Sequence, residues 1–166
     1  MNITTKQLAR CAVLAALALA LSYVEGMFPL PVPLPGFRIG LANIVTVFAL
    51  YALGARYAFA ILLVRVLLGA MFAGNASALL FSLFGGLAAF GVMALLSRRE
   101  RLSVYGVSVG GAAAHNAGQV CAALLTLGTG APLMYLPVLL LAALFSGALT
   151  GFIAALLLRA MRYVDI

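Results

Sequence analysis

The chain has 166 residues, 66% of them hydrophobic and 8% charged, with a mean hydropathy of +1.23, which leaves too little polar surface to coat a water-soluble domain or a soluble catalytic module. Ten basic residues against three acidic ones give a formal charge of +7; in a chain this apolar the excess is expected to mark a membrane face, and no nucleic-acid partner is expected. Long Ala/Leu/Val runs without strand-like alternation predict helices rather than a barrel, so the fold class is all-α: a polytopic integral membrane protein, a single domain over residues 1–166 with a bundle of about six transmembrane helices.

The first apolar run covers residues 8–24, behind Lys6 and Arg10, and is read as an uncleaved first helix rather than a secretory signal. Pro29, Pro31, Pro33 and Pro35 then alternate along an apolar segment. Such spacing forbids continuous helix and favours an extended path, expected to cap the outer mouth of the bundle. The second span is expected at residues 39–53, ending at Gly54-Ala55-Arg56, and the third at 57–73, with Arg65 near its middle. Gly74-Asn75-Ala76 makes an outer turn into a fourth span at 77–96, which stops at the polar stretch Ser97-Arg98-Arg99-Glu100-Arg101. The fifth helix is placed at 104–127 and closed by Gly128; the sixth occupies 136–158, with Pro137 in its first turn, where proline is least disruptive.

With a cytoplasmic amino terminus, Lys6, Arg10, Arg56, Arg98, Arg99, Arg101, Arg159 and Arg162 all fall on the inner side. The positive-inside rule therefore predicts a multi-pass protein of the cell membrane with both termini in the cytoplasm. Arg38 and Arg65 are the exceptions. An arginine at mid-span costs about 2.5 to 3.5 kcal/mol on insertion scales, and Arg65 is about 12 Å from either end of its helix, too deep for easy snorkelling. It is expected to face an anionic ligand, with a structural ion pair to Glu25 as the alternative. Glu25 is the sole acid expected in the outer half, because Glu100 and Asp165 lie towards the inner side.

The fifth helix carries the lone histidine in Gly110-Gly-Ala-Ala-Ala-His115-Asn116-Ala-Gly118-Gln119. The spacing puts His115, Asn116 and Gln119 on one general face amid small residues, as a ligand site or as interhelical hydrogen-bond glue. Together with Arg38, Asn43, Arg65 and Asn75 they form the candidate substrate-binding set, and two or three cationic donors facing one acid suit a carboxylate or phosphate. Phe28, Phe37, Phe72 and Tyr135 are available to cover an apolar or aromatic body, so the expected ligand is a small anionic amphiphile. Gly106-x-x-x-Gly110 and Gly147-x-x-x-Gly151 permit close helix contacts.

Catalysis finds little support. No phosphate-binding loop ends in Lys-Ser/Thr, the sole lysine is Lys6, and the one aspartate, Asp165, has no partner for magnesium-diphosphate or glycosidase chemistry. No cofactor or metal is expected, since one histidine without an acid or cysteine cluster makes no coordination set. Cys11 and Cys121 lie within apolar stretches and are read as buried spectator thiols.

The first helix also bears an alanine ridge, Ala12, Ala16 and Ala20. Followed by the Pro-rich loop, Gly36-Phe-Arg-Ile-Gly-Leu-Ala-Asn43 and Gly54-Ala-Arg56, this resembles the substrate-binding S components of energy-coupling factor transporters. Pro35-Gly-Phe-Arg-Ile-Gly-Leu-Ala-Asn-Ile44 and His115-Asn-Ala-Gly-Gln119 are similar, more narrowly, to the Gx transporter family, often labelled heptaprenyl diphosphate synthase component I. The resemblance implies a six-helix subunit that captures its substrate outside and docks, through Ala12, Ala16 and Ala20, on a transmembrane T component driven by two cytoplasmic ATPases. It implies an uptake role without an ATPase site of its own; the alternative is a membrane factor in prenyl diphosphate or quinone biosynthesis.

Overall fold

A computed structural model describes residues 4–27, 40–74, 76–99 and 101–163, with side chains as far as residue 161. Among them the chain forms six α-helices: α1 (Thr5–Met27), α2 (Asn43–Ala52), α3 (Ala55–Ala73), α4 (Ala76–Leu96), α5 (Val104–Leu127) and α6 (Leu136–Tyr163), the last entered through a 3-10 turn at Ala131–Tyr135. The Pro-rich loop, Arg38 and Asn75 lie outside the described residues.

The protein is a helical membrane protein. Four helical segments, Thr5–Met27, Ala55–Ala73, Ala76–Leu96 and Ala131–Met161, are long and apolar enough to cross a bilayer. Large side chains such as Phe145, 81% exposed, are in place only against lipid. The expected count of six spans meets two departures. Helix α2 has 10 residues, a rise of about 15 Å, half of what a bilayer core demands. Helix α5 has 24 residues, but Ser108, His115, Asn116 and Gln119 lower its hydropathy, and all four are buried inside the bundle.

Small residues set the close approaches. On one side of α5, Gly118 lies against the Phe84 carbonyl and Gly111 against Met93, both of α4. On the other, Gly147 and Gly151 of α6 meet Val109 and Tyr105 of α5, and beside them the Ser108 and Thr150 hydroxyls share a buried hydrogen bond of 2.7 Å. The buried stripe of α6, Leu139, Ala143, Gly147, Thr150, Gly151 and Ala154, recurs at helical spacing while Leu141, Phe145 and Leu149 face outwards. Of the two GxxxG patterns, Gly147/Gly151 is used in full; Gly106 meets only its own turn, at Leu102 and Ser103.

Helix α5 ends at Gly128, whose φ of +64° stops the ladder with its N–H on the Leu124 carbonyl, a left-handed position that suits glycine. Helix α1 lies along α3, and the short α2 touches each of the other five helices. The hydrophobic core gathers around α2, with Val45, Val47 and Leu50 packed against Ala18, Ile61 and Met93. Tyr51 and Ala52 at its carboxyl end line one cavity with Ser103, Val104 and Tyr105 at the start of α5, whereas Gly40, just before its amino end, lies against His115. The step from Tyr105 to His115 is also about 15 Å of helix, so α2 occupies one half of the bundle and begins at mid-depth.

Candidate functional site

The polar residues at mid-depth form a ring that passes through five helices. In α1, Ser22 and Glu25 are three residues apart on one face, and both are buried. The Ser22 hydroxyl accepts a hydrogen bond of 3.2 Å from Nη1 of Arg65 in α3. Arg65, 7% exposed, lies against Gly86 of α4, where an added Cβ would stand 3.5 Å from Nη2. The adjacent Gly85 seats His115 and Gln119 of α5, where an added Cβ would come within 2.9 Å of Nδ1 and 3.0 Å of the Gln119 Cγ. His115 in turn packs on Gly40 at the entry to α2. The ring closes where Glu25 accepts the N–H groups of Gly40 and Leu41, at 2.6 and 2.9 Å.

That last contact gives Glu25 a structural role. Gly40 and Leu41 belong to the turn that leads into α2, beside the partial positive charge of the helix amino end, and that turn lies inside the protein, where water cannot satisfy its N–H groups. The carboxylate supplies two charge-assisted hydrogen bonds there. Gly40 has φ +91°, and a Cβ on it would stand 2.7 Å from the Asn43 amide, so backbone conformation and space both call for glycine.

Asn43 sits at the same junction, 4% exposed, and among the described residues neither its amide nitrogen nor its oxygen has a hydrogen-bond partner. A buried carboxamide with both functions unused is uncommon in folded proteins, because the desolvation of each group is left uncompensated. The ring adjoins open space at Ser22. A groove of about 830 Å³ runs between α1 and α3, lined by Leu19, Ser22, Tyr23, Met27, Gly69 and Phe72 among others.

Of the expected set, the structure gathers Asn43 and His115 at Gly40 and His115 and Gln119 at Gly85, and sets Arg65 on the adjacent Gly86. Asn116 turns away from them. Its amide nitrogen donates to the Leu139 carbonyl of α6 at 2.6 Å, which is the glue alternative, while its side-chain oxygen is buried without a partner among the described residues. Positions 115 and 116 are neighbours, about 100° apart on a helix, and α5 is flanked on both sides, so one faces α4 and the other α6. Of the expected aromatic cover, Phe72 lines the groove, and Tyr135 packs instead with Val120 and Leu139. Ala12, Ala16 and Ala20 are exposed along α1. The thiols depart from expectation: Cys121 is exposed and Cys11 half-buried, because position 121 falls on the face of α5 that meets neither α4 nor α6. Among the described residues, no three His, Cys, Asp or Glu side chains gather as a metal set would.

Four members of the ring were missed in the sequence: Ser22, Gly40, Gly85 and Gly86. An isolated serine one helical turn before the sole outer acid, and a glycine pair midway along an apolar helix, were the available signals.

Residues 14–157 match the family model described as heptaprenyl diphosphate synthase component I. No match was found among the curated proteins or among the solved structures.

Proposed function

The chain belongs to the heptaprenyl diphosphate synthase component I family, and on that premise we propose that it is the substrate-binding membrane subunit of an energy-coupling factor type uptake transporter. Its substrate is a small anionic molecule with an apolar or aromatic body, vitamin-like or related to quinones and isoprenoids. One observation carries the reading: the unmatched amide of Asn43 lies in a ring with a buried arginine. A network built for structure alone closes on itself, whereas a site for a small molecule holds groups in reserve. Arg65 supplies the charge partner, His115, Gln119 and Asn43 supply directional hydrogen bonds, and the groove reached at Ser22 takes the apolar body. A transmembrane T component and two cytoplasmic ATPases supply the work, since the sequence carries no phosphate-binding loop.

Native mass spectrometry of gently purified protein tests this. The wild type is expected to retain an anionic small molecule, Arg65→Ala to lose it, and Asn43→Ala to hold it about tenfold more weakly, as expected for lost hydrogen bonds. Thermal melts in detergent report whether each variant is folded. Retention by folded Arg65→Ala equal to that of the wild type would return the arginine to structure and remove the basis for an anionic substrate.

The family's description favours a second reading, a membrane factor in prenyl diphosphate or quinone biosynthesis in which the same ring holds a lipid diphosphate. The sequence has three acidic residues, too few and too scattered for the paired carboxylates that hold magnesium on a diphosphate. Release of pyrophosphate by the isolated chain would decide for this reading and against transport.

A further inference from the structure

A second cavity lies at the opposite, basic end of the bundle, independent of the ring. It encloses about 660 Å³ where the carboxyl ends of α2 and α6 meet the amino end of α5. Its lining mixes polar and aliphatic groups. Arg159, Tyr51, Tyr105 and Ser103 bring polar groups to it, Leu158 and Met161 bring aliphatic ones, and among the described residues none that lines it is acidic. Arg159 is exposed, so its charge is available, and Tyr51 and Tyr105, 37% and 41% exposed, each bring a phenol that can donate.

The start of α5 adds to the same sign. The Ser103 hydroxyl accepts the Gly106 N–H at 3.2 Å, and the first backbone bond of the helix runs from Val107 to the Ser103 carbonyl at 3.0 Å. The N–H groups of Val104 and Tyr105 therefore precede the helical ladder, at its positive end. The turn leading into α5 carries exposed Arg98, Arg99 and Arg101. Because α4 and α6 are membrane helices whose carboxyl ends lie here, the cavity sits at the level of the lipid headgroups.

We propose that this crevice binds an anionic phospholipid of the surrounding bilayer. The headgroup phosphate pairs with Arg159 and the tyrosine hydroxyls, and the upper methylenes of the acyl chains lie on Leu158 and Met161. Charge selects among lipids. A phosphatidylglycerol head presents net negative charge to Arg159, whereas the ammonium of phosphatidylcholine would meet a cationic rim with no carboxylate among the described lining residues to receive it.

The test is native mass spectrometry of the intact chain in neutral detergent, titrated with phosphatidylglycerol or with phosphatidylcholine. Phosphatidylglycerol is expected to be retained in preference. Arg159→Gln should weaken it by about tenfold or more, as for loss of a charge-assisted hydrogen bond. Arg98→Gln, which removes an exposed arginine outside the crevice, should weaken it by about fivefold at most, the diffuse effect of one surface charge. Ala155→Phe changes no charge but fills the crevice, and is expected to match Arg159→Gln. Equal losses in the two arginine variants, unchanged retention in Ala155→Phe, or equal retention of phosphatidylcholine would each overturn the proposal. Displacement of phosphatidylglycerol by inorganic phosphate would also overturn it, marking a site for free anions.

Discussion

Glu25 illustrates how one side chain can decide where a helix begins. Its two oxygens hold the N–H groups of Gly40 and Leu41 at a point 8% exposed, so no water stands ready to replace it. Glu25→Ala is expected to destabilise the protein by about 2 to 6 kcal/mol, since each of the two buried N–H groups left without an acceptor costs about 1 to 3 kcal/mol. Glu25→Gln keeps an acceptor and loses the charge, and should fall between. Thermal unfolding in detergent measures both, and an alanine variant as stable as the wild type would show that α2 is held at mid-depth by packing alone. Arg65 belongs to the same scale. Its expected depth was readable from its position in an apolar run, but its partner Ser22 sits 43 positions away in the chain, and hydropathy says nothing about which helix will stand beside it.

For the helices as elements, glycine placement separates contacts that matter from motifs that merely occur. A Cβ on Gly118 would run into the Phe84 carbonyl of α4, a backbone atom that cannot rotate away. Gly118→Ala is therefore expected to push α4 and α5 apart and to cost about 1 to 3 kcal/mol. Gly106→Ala meets nothing closer than 3.6 Å, and that from its own turn, so the better helix propensity of alanine should leave stability unchanged or raise it by up to about 1 kcal/mol. The pair of melts reads the difference, and equal losses in the two variants would contradict the observed packing. Both glycines lie in α5, and neither's local sequence says what stands opposite it. Only the neighbour across the interface distinguishes them, and for α5 that neighbour differs from face to face, which is also why His115 and Asn116 part company.

For the molecule as a whole, the exposed Ala12, Ala16 and Ala20 offer a smooth face on α1, on the opposite side from buried Ala15 and Ala18. Ala16 and Ala20 also line the groove between α1 and α3. Under the proposed transport role, Ala12→Leu/Ala16→Leu is therefore expected to leave the fold intact while abolishing co-purification with a T component and its ATPases, and small-molecule retention by the same variant separates lost docking from a filled groove. Co-purification that survives the double substitution would move docking elsewhere; leucine is well tolerated where lipid was the neighbour, so loss of fold is not the expected outcome.

The sequence by itself determined the solvent and the secondary structure. Its lack of polar surface demands lipid, lipid demands internally bonded backbone, and the apolar runs between Arg56, Gly74, the Arg98–Arg101 turn and Gly128 mark helix ends because charge and left-handed glycine stop helices locally. It also placed most of the polar ring, since a buried arginine, histidine or glutamine stands out against hydrocarbon. Tertiary structure decided the rest. The half-length of α2, the use of Glu25 on its amino end, the Gly85-Gly86 seat and the turning of Asn116 towards Leu139 all depend on which surfaces meet. In a chain that is apolar on nearly every face, hydrophobic pattern cannot choose partners, and the choice falls to small-residue fit and to the few polar groups that must find one another.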